Sequence, residues 1–273
     1  MFKSVHYATP PSVLDGASSA ALRGHYLVEN LFEAGGLNLA YVHQERMIVG
    51  GAAPGAARLP LPAQADGVPL LARRELGVVN IGDGPGTVGV DGKDYGLQRF
   101  DALYVGQGAR DIIFSGDGAR FYLASTPAHS RHDTRLLPRD TITPLRRGGE
   151  RNSNARSIYQ FITPDTCPSA QLLMGLTEIA PGNVWNTLPP HRHEQRSEVY
   201  FYFGLDDTER LFHIMGTPEE TRHIVVKNEE AVICPSWSVH MGAGTSAYAF
   251  VWAMGGDNLD YDDMAGVSLA DLR

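Results

Sequence analysis

From Gly77 onward the sequence is a succession of short apolar runs cut by turn signals. GVVNI, TVGV, DALYV, DIIF and RFYLAS are separated by GDGPG, DGKD, GQGA and SGDGA. Such runs are too short for helices, and Gly/Asp turns at this spacing make hairpins. The chain is thereby restricted to a mainly β sandwich or barrel of antiparallel strands. The same texture returns in SIYQFI, QLLMGLTEI, EVYFYFGL, RLFHIMG, HIVVK, EAVIC and SAYAFVWAMGG. Helical spacing is confined to Ser18–Phe32, where Ala21, Leu22, Tyr26, Leu27 and Leu31 form a stripe that Gly35-Gly36 ends. Leu39–Val49 reads as a strand or a bent pair, Gly50–Leu70 as a Gly/Pro/Ala loop, and the acidic tail from Asp257 as ending in one short helix.

The Pro- and Arg-rich stretch Thr134–Glu150 divides this texture. We expect an N-terminal domain over 1–135, a linker over 136–150 and a C-terminal domain over 151–273. FDALYVGQGARDIIF (Phe100–Phe114) overlays EEAVICPSWSVHMGA (Glu229–Ala243) at an offset of 129, as strand, tight turn, strand. This suggests two copies of one β unit. It sets Asp111 where the second copy has His240.

A net charge of −8 over 273 residues argues against nucleic acid, and an anionic ligand would need a locally basic pocket. Two cysteines, Cys167 and Cys234, exclude a disulfide framework. No long apolar run or secretory h-region is visible, so the expectation is a cytoplasmic protein with no membrane segment.

Chemistry concentrates in PPHRHEQRSEVYFYF (Pro189–Phe203). His191 and His193, two apart, share one face of an extended chain. Glu198 opens the next β run after a polar turn, and His240 follows the turn Pro235-Ser236-Trp237 on a later strand. Three imidazoles and a carboxylate suit a borderline divalent ion such as Zn, Mn, Fe, Co or Ni. If Glu198 faces inward, strand parity turns Tyr200 and Tyr202 inward with it. No GxSxG elbow or Cys–His neighbour points to a nucleophile.

The HxH(x4)E and PxWxxH strings resemble the two metal motifs of the cupin superfamily, whose members are small antiparallel β-barrels. His191, His193, Glu198 and His240 match the ligand positions, and Trp237 departs from the Gly that many cupins carry in the second motif. Longer strings, RRELGVVNIGDG, GLTEIAPGNVWNTLPPHRHEQRSEVYFYF and FHIMGTPEETRHIVVKNEEAVICPSWSVHMGAGTSAYAFVWAMGGDN among them, closely resemble the 5-keto-4-deoxyuronate isomerase family. That resemblance runs from the N-terminal helix to the C-terminal DLR. It implies two cupin-like barrels (a bicupin), one zinc ion in the C-terminal barrel, a homohexamer and a step in the breakdown of pectin-derived uronates.

The implied reaction exchanges an aldehyde with its neighbouring hydroxyl, a ketol isomerisation without net redox. An ene-diol route needs a cation near the developing oxyanion and groups that move protons, for which Tyr200, Tyr202 and His223 are candidates, with His213 as a further histidine; a metal-bridged hydride shift is the alternative and needs less base. The small acidic sugar substrate carries a carboxylate, for which Arg222 and then Lys227 are candidates. No HxH accompanies Asp111, so the N-terminal half is expected to hold no metal. Two other readings use the same ligand set: a non-haem iron dioxygenase, and a non-catalytic cupin that binds sugar acids.

Overall fold

The computed structural model describes residues 1–257 and 260–273. In chain order the elements begin with β1 (Phe2–His6), α1 (Ser19–Tyr26), β2 (Leu27–Val28), β3 (Gly36–Val42), β4 (Met47–Ala53) and β5 (Gly55–Pro60). β6 (Arg74–Asn80), β7 (Gly86–Val90), β8 (Lys93–Leu97), β9 (Ala102–Val105), β10 (Ile112–Gly116) and β11 (Phe121–Pro127) follow. Next come β12 (Arg135–Leu137), β13 (Leu145–Arg147), β14 (Arg156–Ile162), β15 (Leu173–Ile179), β16 (Trp185–Arg192) and β17 (Arg196–Phe203). The last are β18 (Leu211–Thr217), β19 (Glu220–Val226), β20 (Glu230–Cys234), β21 (Val239–Gly244), β22 (Ala249–Gly256) and β23 (Ala265–Gly266).

Two compact units result. One comprises Met1–Val5, Asn30–Thr143 and Gln160–Met174; the other comprises His6–Glu29, Pro144–Tyr159 and Gly175–Arg273. The sheet orders are β1-β3-β4-β11-β6-β9-β12 and β5-β10-β7-β8, then β13-β14-β15-β22-β17-β20-β2 and β19-β18-β21-β16-β23. Adding eleven to a strand number from β3 to β11 gives the strand at the same place in the second pair of sheets. The short overlay seen in the sequence, β9 and β10 over β20 and β21, is one part of that repeat. The hydrogen-bonded sheets are open, paired layers rather than single closed cylinders.

In the first unit, one core draws on both sheets: Leu39, Val78, Leu103 and Leu123 from the larger, Val88 and Phe114 from the smaller. The Glu75 carboxylate, with no exposure, is fully satisfied. It accepts from the Tyr104 and Thr126 hydroxyls at 2.6 and 3.0 Å and from the backbone N–H groups of Ala170, Gln171 and Leu172 at 2.7–2.8 Å.

Several local expectations shift. The helix stops at Tyr26, because Leu27 and Val28 pair with Val232 and Ala231 of β20 instead of adding another turn. Its start is as expected: Ser18 caps it by accepting from Ala21 N–H. The Gly/Pro/Ala loop contains β5, an edge strand on β10, where Pro60 is tolerated since an edge leaves one side without a ladder partner. The stretch read as linker carries β13. The tail carries, among the described residues, the short strand β23 and a 3-10 turn, Leu269–Asp271, in place of an α-helix. Among the described residues, no helix is long and apolar enough to cross a membrane.

Candidate metal centre

β16, β17 and β21 bring His191, His193, Glu198 and His240 together inside the second unit. One ligand atom from each lies within 4.8 Å of all the others. β16 and β21 are paired so that His191 and His240 face each other directly, after a shift of register between Asn186 and His191. Thr187, inside that irregular stretch, has φ +48°, which a β-branched side chain rarely adopts. Its hydroxyl is hydrogen-bonded to the Tyr200 hydroxyl at 3.0 Å. Glu198 arrives from the facing sheet on β17, every residue of which is buried.

The donor atoms converge on a common point more than on each other. Glu198 Oε2 is 3.3 Å from His193 Nε2 and 3.1 Å from His240 Nε2. Yet Glu198 Oε1 and His240 Nε2 are buried without an aligned hydrogen-bond partner. Buried polar atoms are rarely left so. A divalent cation coordinated by the three imidazoles and the carboxylate would satisfy both atoms, so the residues fit such an ion.

Protonation agrees with this fit. Burial, then the neighbouring His240 and His193, pushes His191 down to about 2, which keeps it neutral. Burial raises Glu198, but the closeness of the His193 and His240 imidazoles outweighs it and holds the carboxylate at about 2. His193 Nδ1 lies 2.8 Å from the Asp263 carbonyl. Donating there assigns the proton to Nδ1 and leaves Nε2 a lone pair for a metal.

A cavity of about 510 Å³ opens beside the cluster. His191, Glu198 and Tyr200 line it, with Thr187, Phe250, Trp252, Tyr261, Arg147 and Arg156 among its other walls. Burial pushes the Tyr200 phenol well above its usual range, so it stays a donor. Tyr202 shares that face but does not reach the cavity. Its hydroxyl is hydrogen-bonded to His213 Nδ1 at 2.8 Å, and His213 is held neutral, at about 3, first by burial and then by His240.

Arg222, Lys227 and His223 do not line the cavity. They belong to or follow β19, the edge strand, two strands from β21. Arg222 turns back on Glu220 and the Thr221 carbonyl, while His223 and Lys227 are exposed. Parity alone does not distinguish an edge position from a central one.

Three arginines escaped the sequence reading. Arg196, the first residue of β17, is completely buried. Its guanidinium donates to the carbonyls of Asp260, Tyr261 and Asp263 at 2.6, 2.8 and 3.1 Å, holding that segment beside the cluster. Arg147 and Arg156 reach the cavity through the register of β13 on β14, and no spacing signal in the sequence points to that pairing.

Comparison with known proteins agrees with the resemblance noted in the sequence. The KduI/IolB family matches residues 26–266. A 4-deoxy-L-threo-5-hexosulose-uronate ketol-isomerase of Burkholderia cenocepacia is 49% identical over 263 residues, covering 93% of this chain and 94% of its own. The Escherichia coli protein of the same name is 46% identical over 99% of both chains. Among solved structures, an IolB-like protein of Salmonella typhimurium superimposes with a TM-score of 0.69 at 14% identity, covering 89% of this chain and 97% of its own. A Bacillus subtilis oxalate decarboxylase gives 0.60 at 12% identity, covering 90% and 79%. At that distance the structures speak for the fold alone, which is mainly β and cupin-like. The sequence relatives go further: this chain is an isomerase enzyme and belongs to the KduI/IolB family.

Proposed function

We propose that the chain converts 4-deoxy-L-threo-5-hexosulose uronate, also called 5-dehydro-4-deoxy-D-glucuronate, into 3-deoxy-D-glycero-2,5-hexodiulosonate. One zinc ion would be held by His191, His193, Glu198 and His240. The observation that carries this reading is the identity of 46% over 99% of both chains with a ketol-isomerase named for that uronate. The buried donor cluster beside a cavity supports the metal part. Zinc suits three neutral imidazoles and one carboxylate, and Mn, Fe, Co or Ni are chemically compatible with the same set. The further expectations of the resemblance, two cupin barrels, a homohexamer, a cytoplasmic location and a place in pectin and uronate breakdown, belong to the same proposal.

In the reaction the hydrogen on C2 is lost and one is gained at C1, while the hydroxyl proton passes from the C2 oxygen to the C1 oxygen. No electrons enter or leave overall. A bound divalent ion supplies positive charge that stabilises a developing oxyanion. The chain's own part is to orient and to hold protons. Tyr200, protonated and anchored on Thr187, presents a donor hydroxyl at the cavity wall. Phe250, Trp252 and Met254 form an apolar part of the same lining.

The test is to incubate the metal-loaded protein with the uronate and follow the aldehyde by proton NMR. Loss of the aldehyde signal, gain of a hydroxymethyl signal and no oxygen uptake are expected. A persistent aldehyde at full metal occupancy would overturn the assignment. Oxygen uptake with bound iron would favour a dioxygenase, and binding without turnover a sugar-acid-binding protein.

A further inference from the structure

The geometry points to Arg147 and Arg156 as a paired carboxylate clamp that makes the cavity selective for an acid sugar. Arg147 lies directly opposite Arg156 in the β13–β14 pair, and Leu145 opposite Ile158. All four residues line the cavity that also holds His191 and Glu198. Like charges directly opposite each other on one face of a sheet are destabilising, so an uncompensated arginine pair is a cost to the fold. In a chain of net charge −8, acidic partners are abundant, yet among the described residues no carboxylate forms an ion pair with either arginine.

Arg156 is half-buried. Its one hydrogen bond is from Nη1 to the Asn154 carbonyl, 2.9 Å away, which fixes the guanidinium without neutralising it. Burial lowers its proton affinity most, the Tyr200, Tyr261 and Tyr248 phenols raise it, and repulsion from Arg147 is the smallest lowering influence; an anion between the two arginines would oppose both lowerings. The acidic groups on the same cavity are Glu198, committed to the imidazole cluster, and Asp262, which is exposed. A guanidinium pair recognises a carboxylate through parallel N–H donors, a geometry that a lysine does not offer.

The assignment rests on the isomerase reading for the identity of the anion: the C6 carboxylate sits on the arginines and the C1 aldehyde end lies toward His191 and Glu198. Arg147 and Arg156 are therefore specificity residues that set which end of the sugar meets the metal centre.

The experiment compares kcat/KM for the uronate and for its methyl ester, which has the same reacting end without the charge. The wild-type protein should prefer the acid by about tenfold to a hundredfold, the scale of a charge-assisted contact. In Arg156→Ala, and in the double variant with Arg147→Ala, that preference should collapse toward unity through a raised KM for the acid. Metal content should be unchanged. Arg156→Lys should recover only part of the preference. Wild-type turnover of acid and ester at equal kcat/KM, or an acid preference retained in the double variant, would overturn the clamp and leave the isomerase standing. If the wild-type protein turns over neither, the isomerase reading fails, and calorimetric binding of D-glucuronate against its methyl ester decides the clamp instead. Preference for the acid that the double variant loses supports it; equal binding by the wild-type protein overturns it.

Discussion

Glu198 and His240 stand on different sheets of the second unit and bring Oε2 and Nε2 to 3.1 Å, while Glu198 Oε1 and His240 Nε2 lack aligned hydrogen-bond partners. A buried acid and imidazole that merely paired would align on one another. Here they converge with His191 and His193 on one point, as the donors of a cation site do.

Removing a direct ligand should therefore cost more than the ~10–100-fold in metal affinity that follows loss of an outer partner. For Glu198→Ala we expect a loss of at least about 100-fold, measured by competition with a chromophoric zinc chelator. Unchanged affinity would remove Glu198 from the ligand set.

Acid should weaken the metal-free protein in a defined window. His191 and His213 are held neutral when folded, at about 2 and about 3, against 6.5 in the unfolded chain. Below pH 6.5 the unfolded state binds more protons. The stabilisation is complete above pH 6.5 and is lost progressively as the pH falls toward 3. Each histidine contributes a slope of up to about 1.4 kcal/mol per pH unit. Glu198, lowered from 4.5 to about 2, adds a loss of the same sign below pH 4.5. Urea midpoints of the chelator-treated protein should fall between pH 7.5 and 5, and a midpoint that stays level or rises would contradict the buried neutral histidines.

Arg196 ties the segment 260–263 to the cluster through three carbonyls, and the Asp263 carbonyl also receives the His193 proton. Arg196→Met should destabilise the fold by about 3 kcal/mol. It should also speed amide exchange in residues 260–266 and lower metal affinity, because His193 loses its orienting partner. Exchange unchanged in that segment would show that the guanidinium does not hold it.

Much of the metal centre is legible because it is local. Histidines two apart on an extended chain, and a glutamate at the head of a β run, need only strand parity to be placed. The cavity's other residues depend on long-range register. Arg147 and Arg156 meet only because β13 pairs with β14, and Arg222 and Lys227 lie aside only because β19 is an edge. Likewise the helix ends at Tyr26 because β20 captures Leu27 and Val28, a competition that helical periodicity does not contain. The repeat of nine strands was visible in the sequence as a single overlay, since topology persists where side chains have diverged.

In the first unit, Glu75 accepts five hydrogen bonds with no exposure. Glu75→Ala leaves two hydroxyls and three backbone N–H groups without that acceptor. A loss on the order of 3–5 kcal/mol is expected, read from chemical denaturation. A change below about 1 kcal/mol would mean that water replaces the carboxylate freely.

A metal-dependent isomerisation at the four-residue cluster is read out by one proton NMR assay of the uronate with three preparations: protein as purified, chelator-treated protein, and treated protein given back one equivalent of zinc. Aldehyde loss is expected in the first, none in the second and recovery in the third, with His191→Ala silent throughout. Full turnover by the metal-free protein would contradict it.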